Sequence, residues 1–180
     1  MTKNIKTAGQ KINNLHPSEA RWFAIYTGFK REKRAAQLLQ KKDIVAYLPL
    51  QSFTRHYSKK TKKVAIPLIS CYVFVQIITE QYISVLETEY VLRFLKLRGN
   101  LIAIPETEIN LLKQVVGELE VEVDTKSLHK GDEVEVIGGQ LTGLRGILEE
   151  KRGEHKLIIT LDTLGYDLRI EVNPLHIRKV

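Results

Sequence analysis

A single cysteine, Cys71, excludes any disulfide within the chain and points to a reducing compartment. Long apolar runs are also missing. The longest, Ile66 to Ile78, is broken by Pro67, Ser70 and Gln76 and falls short of the ~18 apolar residues of a membrane span. The first twenty residues, MTKNIKTAGQKINNLHPSEA, are polar and have no apolar signal-peptide core. These absences predict a soluble cytoplasmic protein with no membrane partner. With 43% hydrophobic and 27% charged residues, wholesale disorder is excluded, and 180 residues suit one or two domains.

The chemistry of an enzyme is missing as well. The five histidines (His16, His56, His129, His155, His176) are scattered, and none stands at ligand spacing from Cys71 or from another histidine. Gly138, Gly139, Gly143 and Gly146 lie in a region of β-turns, not between a strand and a helix, so no phosphate loop is formed. Asp132, Glu133 and Glu135 read as solvated strand residues. Cys71, inside an apolar stretch, reads as a buried structural thiol. No nucleophile, base and oxyanion donor assemble. The expectation is a non-enzyme with no metal and no cofactor.

What is present is an uneven charge. Residues 21–118 carry 16 basic and 8 acidic side chains, net +8, whereas residues 119–180 carry 9 and 12, net −3. A basic body joined to a mildly acidic module suggests that only the first meets a polyanion such as nucleic acid.

Along the chain, residues 1–19 read as a flexible arm. Arg21–Thr27 (RWFAIYT) reads as a strand with Trp22, Ala24 and Tyr26 on one face and Phe23, Ile25 and Thr27 on the other. Lys30–Lys42 follows at helical spacing, with Ala35, Leu38 and Leu39 opposite a basic face. Leu50–Tyr57 predicts a second strand, and Arg55–Lys63, with five basic residues in nine, the tip of a long hairpin. Leu68–Ile78 (LISCYVFVQII) is the strongest strand and is apolar on both faces. It is therefore either covered twice within the fold or offers an apolar patch to a partner. Short helices are expected at Thr79–Glu89 and Glu106–Leu119, with short strands at Val91–Leu97 and Leu101–Ile104. This order predicts an α+β domain over 20–118, ferredoxin-like, with an antiparallel sheet and helices on one face. Residues 119–128 read as a linker. From His129 to Val180, short alternating strands separated by glycine turns predict a small β-barrel.

Several stretches resemble one family when taken in order. WFAIYTGFKREKRAAQLL resembles the opening strand and helix of the NusG family of transcription elongation factors. PLISCYVFVQI resembles that family's "PGYVFV" strand, and GDEVEVIGGQLTGLRGIL resembles its KOW signature. The resemblance implies an NGN domain followed by an SH3-like KOW barrel in a monomer that binds RNA polymerase. It implies that Tyr72, Phe74, Ile69 and Tyr26 meet the clamp helices of the largest subunit. Lys30, Arg31, Lys33 and Arg34 would face upstream or non-template DNA, and Lys59, Lys60, Lys62 and Lys63 would offer further nucleic-acid contacts. In the KOW domain Leu164, with Leu141 and Leu144, would meet a ribosomal small-subunit protein or Rho. Leu164 stands where general members carry an aromatic residue. That departure and the basic NGN domain imply a specialised branch, RfaH- or UpxY-like, acting in antitermination at selected operons such as those for polysaccharides. The alternative is a KOW-containing RNA-binding protein of ribosome assembly.

Overall fold

The computed structural model describes residues 12–57, 60–116, 121–125, 131–151 and 153–180. β1 (Arg21–Thr27) is the second strand from the edge of a four-stranded antiparallel sheet because both of its faces are apolar and buried. It pairs with β5 (Tyr72–Ile77) in a register that sets Ala24 opposite Phe74 and Tyr26 opposite Tyr72. Its other edge takes β6 (Val91–Phe94), and β2 (Val45–Tyr47) pairs with the far edge of β5. β3 (Leu50–Tyr57) and β4 (Lys60–Pro67) form a separate two-stranded hairpin.

The period-2 alternation divides the sheet cleanly. Phe23, Ile25, Val73, Val75 and Ile77 pack with Ala36 and Leu39 of α1 (Glu32–Gln40) and Val85 of α2 (Gln81–Leu86). Trp22, Ala24, Tyr72 and Phe74 form the opposite face with Ile109, Leu112 and Val115 of α3 (Glu106–Val115). The helices thus lie on both faces, not on one as the sequence pattern suggested. The reason is that β1 and β5 are apolar on both sides, so each side needs its own cover. α3 opens as expected, with Pro105 before it and Glu106 and Glu108 in its first turn.

Four other expectations change. The strand expected from Leu68 begins only at Tyr72, because Cys71 takes a left-handed backbone (φ 66) and breaks the pleat. Residues 121–125, expected within a linker, form β7 (Val121–Thr125), which pairs with β11 (Tyr166–Glu171). An acidic VEVDT stretch has alternation enough for an edge strand once a partner edge exists. The arm expected over 1–19 is tied down over its described part: Ile12 and Asn14 exchange backbone hydrogen bonds with Leu101, and the His16 carbonyl accepts from the Thr79 N–H. Residues 1–11 lie outside the described residues. Leu101 and Ile104 make isolated bridges, to Asn13 and Trp22, in place of a strand.

The C-terminal part is a six-stranded antiparallel sheet. Its order is β12 (Ile177–Lys179), β8 (Asp132–Val136), β9 (Arg145–Lys151), β10 (Glu154–Leu161), β11 and β7. Val134, Val136, Leu157, Leu161, Leu168 and Ile170 bury one common face. No pairing between β7 and β12 joins the two ends among the described residues.

Candidate functional site

The sheet face carrying Tyr26, Tyr72 and Phe74 is where the candidate partner-binding residues converge. β1 and β5 hold the two tyrosines side by side, and the Tyr72 hydroxyl donates to the Tyr26 hydroxyl at 2.7 Å. Their ring centroids are 4.3 Å apart, and the Arg93 guanidinium lies 4.8 Å over the Tyr26 ring. Tyr47 lies 6.2 Å from Phe74 and 6.5 Å, edge-on, from Trp22, and Lys113 Nζ lies 5.5 Å over the Trp22 ring. Burial pushes the Tyr47 phenol up to about 12 and the Tyr72 phenol higher still, the latter helped by the neighbouring Tyr26 and Tyr166 hydroxyls.

This face is covered. Tyr72 (4% exposed), Phe74 (0%) and Ile69 (4%) are buried, while Tyr26 is half-buried. Part of the cover is α3, and part comes from the C-terminal sheet. The Tyr166 ring stands edge-on to Tyr72 at 6.0 Å and 84°. The Thr163 N–H donates to Glu108 Oε1 at 2.9 Å, and Gln114 Nε2 reaches the Gln140 and Thr142 carbonyls at 3.4 and 3.5 Å. Those four C-terminal residues flank Leu141 and Leu164, which are themselves buried in the same apolar cluster, with half-buried Leu144 against it. The two surfaces assigned from the sequence to different partners therefore occupy one interface.

A second feature lies at the end of the four-stranded sheet. Lys30 (φ 60), Cys71 (φ 66) and Tyr90 (φ 72) all hold left-handed backbones there. They are joined through the Gly28 N–H to the Tyr90 carbonyl and the Thr27 N–H to the Cys71 carbonyl. Glu32, buried at 4% exposure, accepts the Cys71 N–H at 2.8 Å and fixes that corner. Three such residues in one corner are costly and mark a place where shape is held deliberately. The corner presents Phe29, 69% exposed, with Lys30 Nζ 5.2 Å from its ring, and Arg31 over the Tyr90 ring at 5.2 Å.

Among the candidate cations, Lys30, Arg31 and Arg34 are exposed at this corner, whereas Lys33 bonds the Ala65 carbonyl of the hairpin at 2.6 Å. Lys62 and Lys63 are exposed on β4, and the side chain of Lys60 and the whole of Lys59 lie outside the described residues. Tyr90 and Arg93 were not singled out from the sequence, and Phe29 only as a departure, with Gly28, from the basic DNA contacts that RfaH carries there. The aromatic–basic pairs Phe29-Lys30 and Tyr90…Arg93 were the sequence's only signal, and the partnerships across strands are tertiary. Cys71, expected to be a buried thiol, is half-exposed, and burial together with the Glu32 charge pushes its thiol up. Among the described residues no group of three or more His, Cys, Asp or Glu could hold a metal ion.

The family model described as "NusG: Transcription termination factor nusG" matches residues 20–113. The chain belongs to the NusG family. NusG-family proteins are transcription elongation factors and not enzymes, in agreement with the lack of a catalytic constellation in the sequence. The fold is similar to a solved structure titled "Domain interaction in Thermotoga maritima NusG". That likeness has TM-score 0.57 and 19% identity, over 90% of this chain and 98% of that one. Conformation B of an MjSpt4:Spt5 complex also matches at 20% identity, covering 88% and 96%, but with TM-score 0.32 it carries no structural argument. No curated protein matches the chain. Among the described residues no helix is long and apolar enough to cross a membrane.

Proposed function

We propose that this NusG-family protein is an elongation and antitermination factor whose NGN domain, residues 20–118, binds the clamp helices of the largest RNA polymerase subunit. The contact face is that of Tyr26, Tyr72, Phe74 and Ile69. The observation that carries the reading is the aromatic row on β1 and β5: an apolar sheet face with paired tyrosines, on the side of the sheet away from α1 and α2. A partner's helix pair fits a face of this kind through buried aromatic anchors. The C-terminal residues 129–180, extended by β7, constitute an SH3-like KOW barrel. Support for this comes from the six-stranded antiparallel order and its single buried face, on which Val134, Val136, Leu157, Leu161, Leu168 and Ile170 gather.

The basic corner supplies the nucleic-acid contact. Lys30, Arg31 and Arg34 neutralise phosphates of upstream or non-template DNA, and exposed Phe29 provides a face on which an unpaired base stacks. The departure at Leu164 and the net +8 of residues 21–118 support a specialised, RfaH- or UpxY-like role at selected operons.

The test is a photo-crosslinking amino acid in place of Tyr26 within transcribing complexes. Crosslinks to the largest polymerase subunit are expected. Crosslinks confined to ribosomal RNA or ribosomal proteins would replace this reading with a role in ribosome assembly.

A further inference from the structure

We propose that Glu32 is the positioning residue of the basic corner. Its carboxylate reaches across to the turn before β5 and sets the direction in which Phe29, Lys30 and Arg31 are offered to nucleic acid. This rests on the reading of that corner as the nucleic-acid contact.

Glu32 departs from its neighbours in both charge and exposure. It opens α1 among exposed Arg31, Lys33 and Arg34, yet is itself 4% exposed. The partner its Oε1 takes is no cation but a backbone donor, the Cys71 N–H, 2.8 Å away. Burying a carboxylate is costly, and an apolar side chain would fill the same space with less desolvation. What the carboxylate adds is direction, because a charge-assisted hydrogen bond fixes the turn at one distance and one angle.

The corner needs such a fixed point. β1 ends there, and β5, β6 and α1 begin there. Lys30, Cys71 and Tyr90 hold left-handed backbones, which persist only where the surroundings over-determine them. The bonds that do so close into a ring. Glu32 holds the Cys71 N–H, and the Cys71 carbonyl accepts the Thr27 N–H at 2.8 Å. The next amide, that of Gly28, donates to the Tyr90 carbonyl at 3.1 Å, and the Gly28 carbonyl accepts the Arg31 N–H at 2.9 Å. That returns the ring to the residue before Glu32. Every link but one joins backbone to backbone. The Glu32 carboxylate is the link that a side chain supplies, and so the link that a substitution removes.

The exposed groups hang on this ring. The Arg31 stem rests on Gly28, with Cγ 3.4 Å from where a β-carbon would stand, and its guanidinium lies 5.2 Å over the Tyr90 ring. Lys30 Nζ lies 5.2 Å from the ring of Phe29. With these directions fixed beforehand, nucleic acid meets side chains that are already ordered.

The experiment separates reach from charge in the full chain. Glu32→Gln keeps an acceptor oxygen at the same reach and removes the charge. Glu32→Asp keeps the charge and draws it back by one methylene. Amide hydrogen exchange at Cys71 reports the bond. Fluorescence anisotropy with labelled oligo-dT over a range of salt reports binding, with Arg31→Ala as the reference for a lost phosphate contact. Glu32→Gln is expected to keep the Cys71 protection and to bind like wild type. Glu32→Asp is expected to lose the protection and to bind about tenfold more weakly at an unchanged salt slope. Lys30 and Arg31 then still reach their phosphates but are ordered afresh on each encounter.

A role through charge alone gives the reverse ranking, with Glu32→Gln binding more tightly than wild type and Glu32→Asp unchanged, and that result would overturn the proposal. So would a Glu32→Asp variant that loses the Cys71 protection and still binds like wild type, or one that keeps the protection. Failure of the corner reading looks different. In that case Arg31→Ala matches wild type in both affinity and salt slope, whatever the Cys71 amide does, and the proposal falls with the reading.

Discussion

Replacing Cys71 discriminates between the strand suggested by LISCYVFVQII and the corner seen in the fold. In a strand, Cys71→Val adds a β-branched residue of high strand propensity and costs nothing. In the fold Cys71 holds φ 66, with its N–H on the Glu32 carboxylate at 2.8 Å and its carbonyl on the Thr27 N–H at 2.8 Å. A left-handed backbone costs an L-residue about 1–2 kcal/mol, and branching at Cβ adds to this. Cysteine already bears the left-handed cost, so only the branching is new, and valine is expected to destabilise by about 1 kcal/mol. Glycine relieves that strain but brings an unfolded-state entropy of about 0.5–1 kcal/mol, so Cys71→Gly should lie near neutrality. Urea denaturation measures both. With an m-value of about 2 kcal/mol/M, the valine variant should shift its midpoint down by about 0.5 M relative to the glycine variant. A valine variant as stable as the glycine variant would refute the corner geometry and the role of Glu32 in holding it.

Other consequences follow from the same contacts. Because burial and the Glu32 charge raise the Cys71 thiol, its reaction with a maleimide near neutral pH should be slower than that of a free thiol, and Glu32→Gln should speed it. Tyr47, raised to about 12, favours the folded state fully below the ordinary tyrosine range near 10, and that contribution is lost as pH climbs from there through about 12. Tyr47→Phe should therefore flatten the alkaline loss of stability. At neutral pH it should be harmless or mildly stabilising, since the Tyr47 hydroxyl has no partner. Gly146 approaches the Ile158 carbonyl so closely that a β-carbon would collide with it, and Gly146→Ala should destabilise the C-terminal sheet by about 3 kcal/mol, read by thermal melting. Phe29→Ala should weaken binding of oligo-dT in fluorescence anisotropy while leaving the salt slope unchanged. Arg31→Ala should reduce that slope by about one phosphate's worth. Loss of slope in the first variant would argue against stacking.

The sequence by itself determined the local order of this protein. Alternation in RWFAIYT and YVFVQI dictates which side chains share a face, since a strand's side-chain period is fixed by its backbone. The segregation of basic and acidic residues, the proline before α3 and the family resemblance of residues 20–113 are likewise written in the chain. What it left open was what lies against each face. The two-faced apolar strand allowed a second internal layer or an external partner, and the packing of Tyr166, Thr163 and Gln140 against Tyr72, Glu108 and Gln114 decided for cover within the chain. The left-handed turn at Cys71 depends on a carboxylate 39 residues earlier, and β7 depends on the edge of β11. Neither has a local signature, because a hydrogen bond between distant residues leaves no periodicity in either stretch. Only the tertiary structure brings those pairs within reach.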